Sequence, residues 1–308
     1  MKTGTITSAL LITCLTALSV GAQSEKKGGK EQVSSGVESK SFQSQLPSAK
    51  SWRLIWNDEF DGKQLDSSKW GYRLHLMQTR HETWTEDGAE FDGKGNLLLG
   101  IYEKDGQFYS SHLQTGQNYL DRPGNKFGKT KFVWPVAEME PAKFAHKYGY
   151  YEIRCKLPTQ KGWWAAFWLQ SPVIGSSLKP GEAGVEMDIM ENFTRDGVIS
   201  HNLHWNGYGK NHEHAGSGKL EMNVSDGKFH TYGLHWSREG YVFYVDGKVS
   251  WKVDGPVSDR EQFILISTEV MGYRNGAPSP LLKNAVLPDY FVVDYVRVFD
   301  EIGENVEK

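Results

Sequence analysis

The sequence predicts an all-β protein, a sandwich or jelly roll of short strands. Three observations predict it. Segments of alternating or continuous apolar residues recur along the chain, Gly and Asp turn signals separate them at frequent spacing, and helical periodicity is nearly absent. No repeat of fixed period occurs, and the composition does not change after residue 52, so one domain of roughly 250 residues is expected.

In chain order, Met1–Ala22 reads as a secretory signal: Lys2, an apolar stretch from Ala9 to Val20, and small residues before a cut ahead of Gln23. The stretch is too short to span a bilayer. Lipidation at Cys14 is disfavoured by the Ile12-Thr13 pair before it. Residues 23–50 are rich in Lys, Ser, Gly, Glu and Gln and read as a disordered tether. The ordered domain is assigned to 51–302 and a short tail to 303–308. Asn96–Ile101 forms an apolar run after the Asp92-Gly93-Lys94-Gly95 turn, and Tyr148–Leu157 alternates. Gly240–Val245 leads through Asp246-Gly247 into Lys248–Trp251, a hairpin signature. Phe291–Phe299 is β-branched and aromatic.

The segment Glu186-Met187-Asp188-Ile189-Met190-Glu191 holds three carboxylates within six residues of apolar character. On a strand, Glu186 and Asp188 share one face and Val185, Met187 and Ile189 the other. Glu191 breaks the parity. A β-bulge at Ile189-Met190 absorbs one residue and returns Glu191 to the acidic face. Paired carboxylates on one surface suit glycoside hydrolysis, where a retaining site needs its two groups about 5–5.5 Å apart. Their Cα atoms would lie roughly 13 Å apart at ~3.3 Å per residue, so the side chains must lean together, as a concave sheet favours. Cation binding or plain solvation is the competing reading of such a cluster.

Composition narrows the function. The chain has 11 Trp and 14 Tyr, more than a core needs, and flat sugar faces are a fitting ligand. The net charge of -3 gives no case for nucleic acid or anionic membranes. With Cys14 removed, Cys155 stands alone, so no internal disulfide is expected and a buried structural thiol is. His201, His204, His212 and His214 match no standard zinc spacing, and His201 and His204 have opposite parity.

Together, several segments in order resemble glycoside hydrolase family 16: Trp56-Asn57-Asp58-Glu59-Phe60-Asp61-Gly62, Lys147–Arg154, Gly162–Leu169, the Glu-x-Asp-x-x-Glu signature met by Glu186, Asp188 and Glu191, Phe229–Trp236, and Val293–Val298. The resemblance spans Trp52 to Asp300. It implies a β-jelly-roll sandwich of two curved antiparallel sheets with an open concave cleft. It also implies that Glu186 is the nucleophile, Glu191 the acid/base and Asp188 an assisting carboxylate. Trp164 and Trp168, which share a strand face, would then stack on sugar rings, while Phe167 joins the core. His204 corresponds to a histidine near the acid/base; Asn202 shares its face, and Trp205 follows it. Trp84, His81 and Trp134 lie in loop-like regions that would form cleft walls. Many members carry one structural calcium, for which Asp294 is the residue to suspect; catalysis needs no cofactor.

The resemblance thins at substrate-defining positions. Ala165 stands where β-1,3-glucanases usually carry proline, and Thr268-Glu269 is closer to members that cleave agar- or carrageenan-like galactans. Glu269 therefore joins the substrate-binding set, with Arg80, Arg122, Lys126 and Arg274 as candidates for an anionic polymer. The expected protein is an exported, monomeric, retaining endo-glycosidase of a β-1,3- or β-1,3/1,4-glucan. A β-galactan is the alternative substrate, and a non-catalytic carbohydrate-binding protein the alternative class.

Overall fold

A computed structural model describes residues 43–121, 139–193, 198–222 and 224–303. They belong to the compact unit Val37–Lys308. The expected signal segment, Cys14 and most of the tether lie outside the described residues, as do Arg122, Lys126, Trp134 and nearly all of the tail.

Eighteen strands form among the described residues. The first eight are β1 (Ser51–Asp58), β2 (Gly71–Tyr72), β3 (His75–Leu76), β4 (Thr79–Arg80), β5 (Ala89–Phe91), β6 (Leu97–Lys104), β7 (Gln107–Ser110) and β8 (His112–Gln114). The middle of the chain gives β9 (Gly149–Lys156), β10 (Trp163–Gln170), β11 (Glu186–Asn192), β12 (Ser200–Trp205) and β13 (Glu213–Gly216). β14 (His230–Ser237), β15 (Gly240–Val245), β16 (Lys248–Val253), β17 (Phe263–Val270) and β18 (Asp289–Ile302) complete the set. The one α-helix among the described residues, Pro180–Ala183, is a single turn.

Sixteen of these strands make two large antiparallel sheets, and β3 pairs with β4 in a separate ribbon. A nine-stranded sheet runs β16-β15-β14-β9-β18-β6-β5, with β1 on β18 and β7 on β6. A seven-stranded sheet runs β13-β12-β11-β10-β17-β8-β2. One continuous core fills the space between them: Tyr151, Ile153 and Cys155 from the first sheet meet Phe167, Met187, Leu203 and Ile266 from the second. Cys155 is a free, buried thiol, and burial pushes its pKa well up. Among the described residues no helix is long and apolar enough to cross a membrane.

The strand readings hold because parity and turn chemistry are local. The Asp246-Gly247 hairpin pairs Val245 with Lys248, and both turn residues have positive φ, 48° and 71°. That is the turn whose twist matches the flanking strands. The opening segment proves structural. Glu59 takes a two-point, buried ion pair from Arg297 at 2.8 and 2.9 Å, and Asp58 accepts the Trp70 indole N–H at 2.8 Å.

One boundary needs correction. Residues 43–50 fall in the expected tether, yet they dock on the nine-stranded sheet. The Gln45 backbone N–H donates to buried Glu152 at 2.9 Å, Ser44 Oγ accepts from Arg297 at 2.9 Å, and Leu46 packs against Tyr150 and Phe299. A buried carboxylate needs donors, and polar residues supply them through the backbone, which composition does not reveal.

Candidate active site

The bulge expected in the acidic segment is present. On one side Trp168 faces Asp188 and Phe167 faces Met190; on the other Asn202 faces Asp188 and Ser200 faces Glu191. Ile189 is thus the extra residue. It and Met190 both turn into the core, and Glu191 returns to the face of Glu186 and Asp188.

Beside these acids lies a cavity of about 210 Å³, lined by Glu186, Asp188, Trp164, Trp168, Glu269 and Arg274 among others. Glu186 is half-buried. Its Oε2 accepts from Gln170 Nε2 at 2.7 Å and from the Tyr208 hydroxyl, while Oε1 has no hydrogen bond among the described residues. Glu191 is buried and accepts a bond from Asn202 Nδ2. Burial first, and then the Asp188 and Glu186 charges, raise its pKa well above the carboxylate range despite that bond. Asp188 is also buried, and desolvation together with Glu186 raises it as well. His204 Nε2 sits 3.3 Å from Asp188 Oδ2.

The site can therefore offer a proton from Glu191 and an open carboxylate oxygen from Glu186, the two functions glycoside cleavage requires. Oxygens of Glu186 and Asp188 and a nitrogen of His204 lie within 4.8 Å of one another.

Trp164, Ala166 and Trp168 line the cavity, and Trp163, Ala165 and Phe167 are fully buried, as strand parity requires. The indoles are not open platforms. Arg274 lies 4.9 Å from the Trp164 ring centre, which also stacks on Phe193 at 4.9 Å, and Arg73 lies 5.1 Å from that of Trp168. A ligand meets a mixed arginine–indole wall. Glu269 lines the cavity but is held by Arg274 in a two-point ion pair at 2.5 and 2.6 Å.

Other expected residues fall elsewhere. Trp205 shares parity with His201 and Leu203, so it packs against the core and donates its indole N–H to Glu213 at 3.0 Å, outside the cavity. Trp84 is buried in a stack between His81 and His112, at 4.3 and 3.9 Å, and forms no open wall. Arg80 caps the carbonyls of Leu74, His81 and Trp84. Asp294 is paired with Arg154 at 2.6 Å.

The sequence reading missed Gln170, Tyr208, Arg73 and Asp121. Gln170 had a signal, since it continues the face of Trp164, Ala166 and Trp168. Arg73, from a loop, and Asp121, from the short 3-10 helix Tyr119–Asp121, are joined at 2.6 Å and had none. Asp121 also accepts from Asn118, which donates to Gln170, so this segment reaches Glu186 through a chain of side chains.

A bulged acidic strand beside an arginine–indole cavity, on one sheet of an antiparallel sandwich, defines a β-sandwich protein with an acidic cavity. The model of glycosyl hydrolases family 16 matches residues 124–269 of the chain. The chain is 27% identical to a glucan endo-1,3-beta-glucosidase A1 of Niallia circulans over 83% of its own length, and spans 39% of that relative. It is 26% identical to a beta-glucanase of Rhodothermus marinus, over 80% of this chain and 85% of that one. The fold is that of an endo-beta-1,3-glucanase from Pyrococcus furiosus, with a TM-score of 0.62, 23% identity, and coverage of 83% of this chain and 97% of the other.

Proposed function

We propose that the protein is an exported, retaining endo-glycosidase of β-linked polysaccharide, with a β-1,3- or mixed β-1,3/1,4-glucan as substrate. The carrying observation is the asymmetry of the two glutamates across one bulge: Glu186 keeps an open oxygen and Glu191 is pushed toward its protonated form. Glu186 Oε1 attacks the anomeric carbon while Glu191 gives its proton to the departing glycosidic oxygen. Water then attacks the glycosyl–enzyme ester, returns a proton to Glu191 and frees Glu186. Two inversions leave the configuration unchanged. Asp188, between them in sequence and on the same face, keeps the proton on Glu191, and Tyr208 and Gln170 orient Glu186.

The glucan assignment draws on the names of the relatives. A second reading, an acidic β-galactan, is favoured by the two guanidinium groups of Arg73 and Arg274 on the cavity wall. Reducing-end release from a panel of β-1,3-glucan, mixed-linkage glucan, agar and carrageenan decides between them. Release from the glucans with a rapid fall in viscosity is expected. Release from galactans alone contradicts the glucan assignment, and binding without release contradicts the enzyme. Export rests on the Met1–Ala22 pattern; a mature chain beginning at Gln23 is the expected N-terminus.

A further inference from the structure

The bulge that places Glu191 has a support on its far side. Ile189 has no opposite residue in the pairing of β11 with either neighbouring strand, and it is fully buried. A buried carbonyl left without a donor costs roughly 1–3 kcal/mol. His201 supplies the donor: its Nδ1 lies 2.6 Å from the Ile189 carbonyl oxygen. That oxygen only accepts, so Nδ1 carries the proton. Nε2 then accepts from Ser250 Oγ at 2.8 Å. Burial lowers the His201 pKa to about 4, which keeps this neutral tautomer in place near neutral pH. The ring stacks on Phe243 at 4.8 Å. Ser250 and Phe243 belong to β16 and β15, in the opposite sheet. One buried imidazole thus crosses the sandwich from the nine-stranded sheet to the bulge between Asp188 and Glu191, touching neither carboxylate.

We propose that His201 is a positioning residue, which fixes the Ile189 bulge through its Nδ1–H bond and so sets where Glu191 stands relative to Glu186. This rests on the assignment of those glutamates as the reacting pair. Misplacing a reacting group by about 1 Å costs on the order of a hundredfold, so the bond is read in kcat.

Three variants test it, each with kcat, KM and melting temperature measured on the full chain. His201→Asn places an amide nitrogen near the Nδ1 position, His201→Gln places one near Nε2, and His201→Phe keeps the stack on Phe243 but loses both bonds. The expected result is a kcat loss of roughly tenfold to a hundredfold in His201→Phe and His201→Gln with KM little changed. His201→Asn recovers most of kcat, although its melting temperature falls as far as that of His201→Gln. Equal kcat in the Asn and Gln variants, or wild-type kcat in the Phe variant with only a lower melting temperature, overturns the proposal. Should the Phe variant fail to fold, the Asn–Gln comparison still decides. Glu186→Gln and Glu191→Gln are run beside them. Activity surviving in either one overturns the underlying assignment and is distinguishable from a failure at His201.

Discussion

At Glu186, Gln170 and Tyr208 hold one carboxylate oxygen and leave the other open; at Glu191, burial and neighbouring charge favour the proton. The two residue types are identical and only their surroundings divide the labour. Glu186→Gln and Glu191→Gln should each lower kcat by roughly a thousandfold or more. With an activated substrate and azide, the variant lacking the acid/base should give a glycosyl azide of retained configuration, and the variant lacking the nucleophile one of inverted configuration. Product anomers by NMR check the assignment, and reversed anomers would exchange the roles. Asp188 raises Glu191, so Asp188→Asn removes that charge and lowers the Glu191 pKa. Less of Glu191 then stays protonated as pH rises, and the alkaline limb of kcat/KM should move to lower pH. A limb that stays in place contradicts a charge role for Asp188. Residue placement was legible in the sequence where strand parity governs it, as at Glu186, Asp188, Glu191, Trp164 and Trp168. Trp205 shows the same rule overlooked: its parity with Leu203 already pointed it to the core.

On the scale of the strand, β11 works because it carries one residue too many. Ile189 and Met190 enter the core in succession, and the acidic face resumes beyond them. Deleting Ile189 leaves Glu186, Asp188 and Glu191 in strict alternation, still on one face. That variant should retain measurable turnover while losing on the order of 2–5 kcal/mol of stability for a lost core side chain. Inserting an alanine between Met190 and Glu191 turns Glu191 toward the core and should abolish turnover. Comparing the two variants for activity and melting temperature checks the bulge account; an active insertion variant would refute it. The need for a bulge was written in the spacing of the acids, and the turn at Asp246-Gly247 in its dipeptide. The imidazole that braces the bulge was not legible, because His201 meets Ile189 and Ser250 only once the two sheets close on each other.

For the whole molecule, the sandwich is held at its outer face by residues that composition assigned to a tether. Gln45 and Tyr295 supply the donors for the buried Glu152 carboxylate, at 2.9 and 2.7 Å. Removing residues 1–50 takes away the Gln45 donor and the Leu46 contact. We expect a loss of about 1–3 kcal/mol, which for a domain of this size lowers the melting temperature by several degrees. KM should change little, because the cavity lies on the other sheet. Unchanged stability would mean that the segment does not dock. The two-sheet architecture was legible from alternation and turns, whereas the arginine-covered indoles were not: Arg73 and Arg274 come from far along the chain to reach Trp168 and Trp164.

The central claim is that Glu186 and Glu191 cleave a β-glycosidic bond by double displacement. The most direct measurement is proton NMR of the first reducing ends released from a β-1,3-glucan by the wild-type chain, before mutarotation. The account predicts the β-anomer first, with the α-anomer appearing only at the rate of mutarotation. First appearance of the α-anomer would contradict it, because a single displacement inverts the centre.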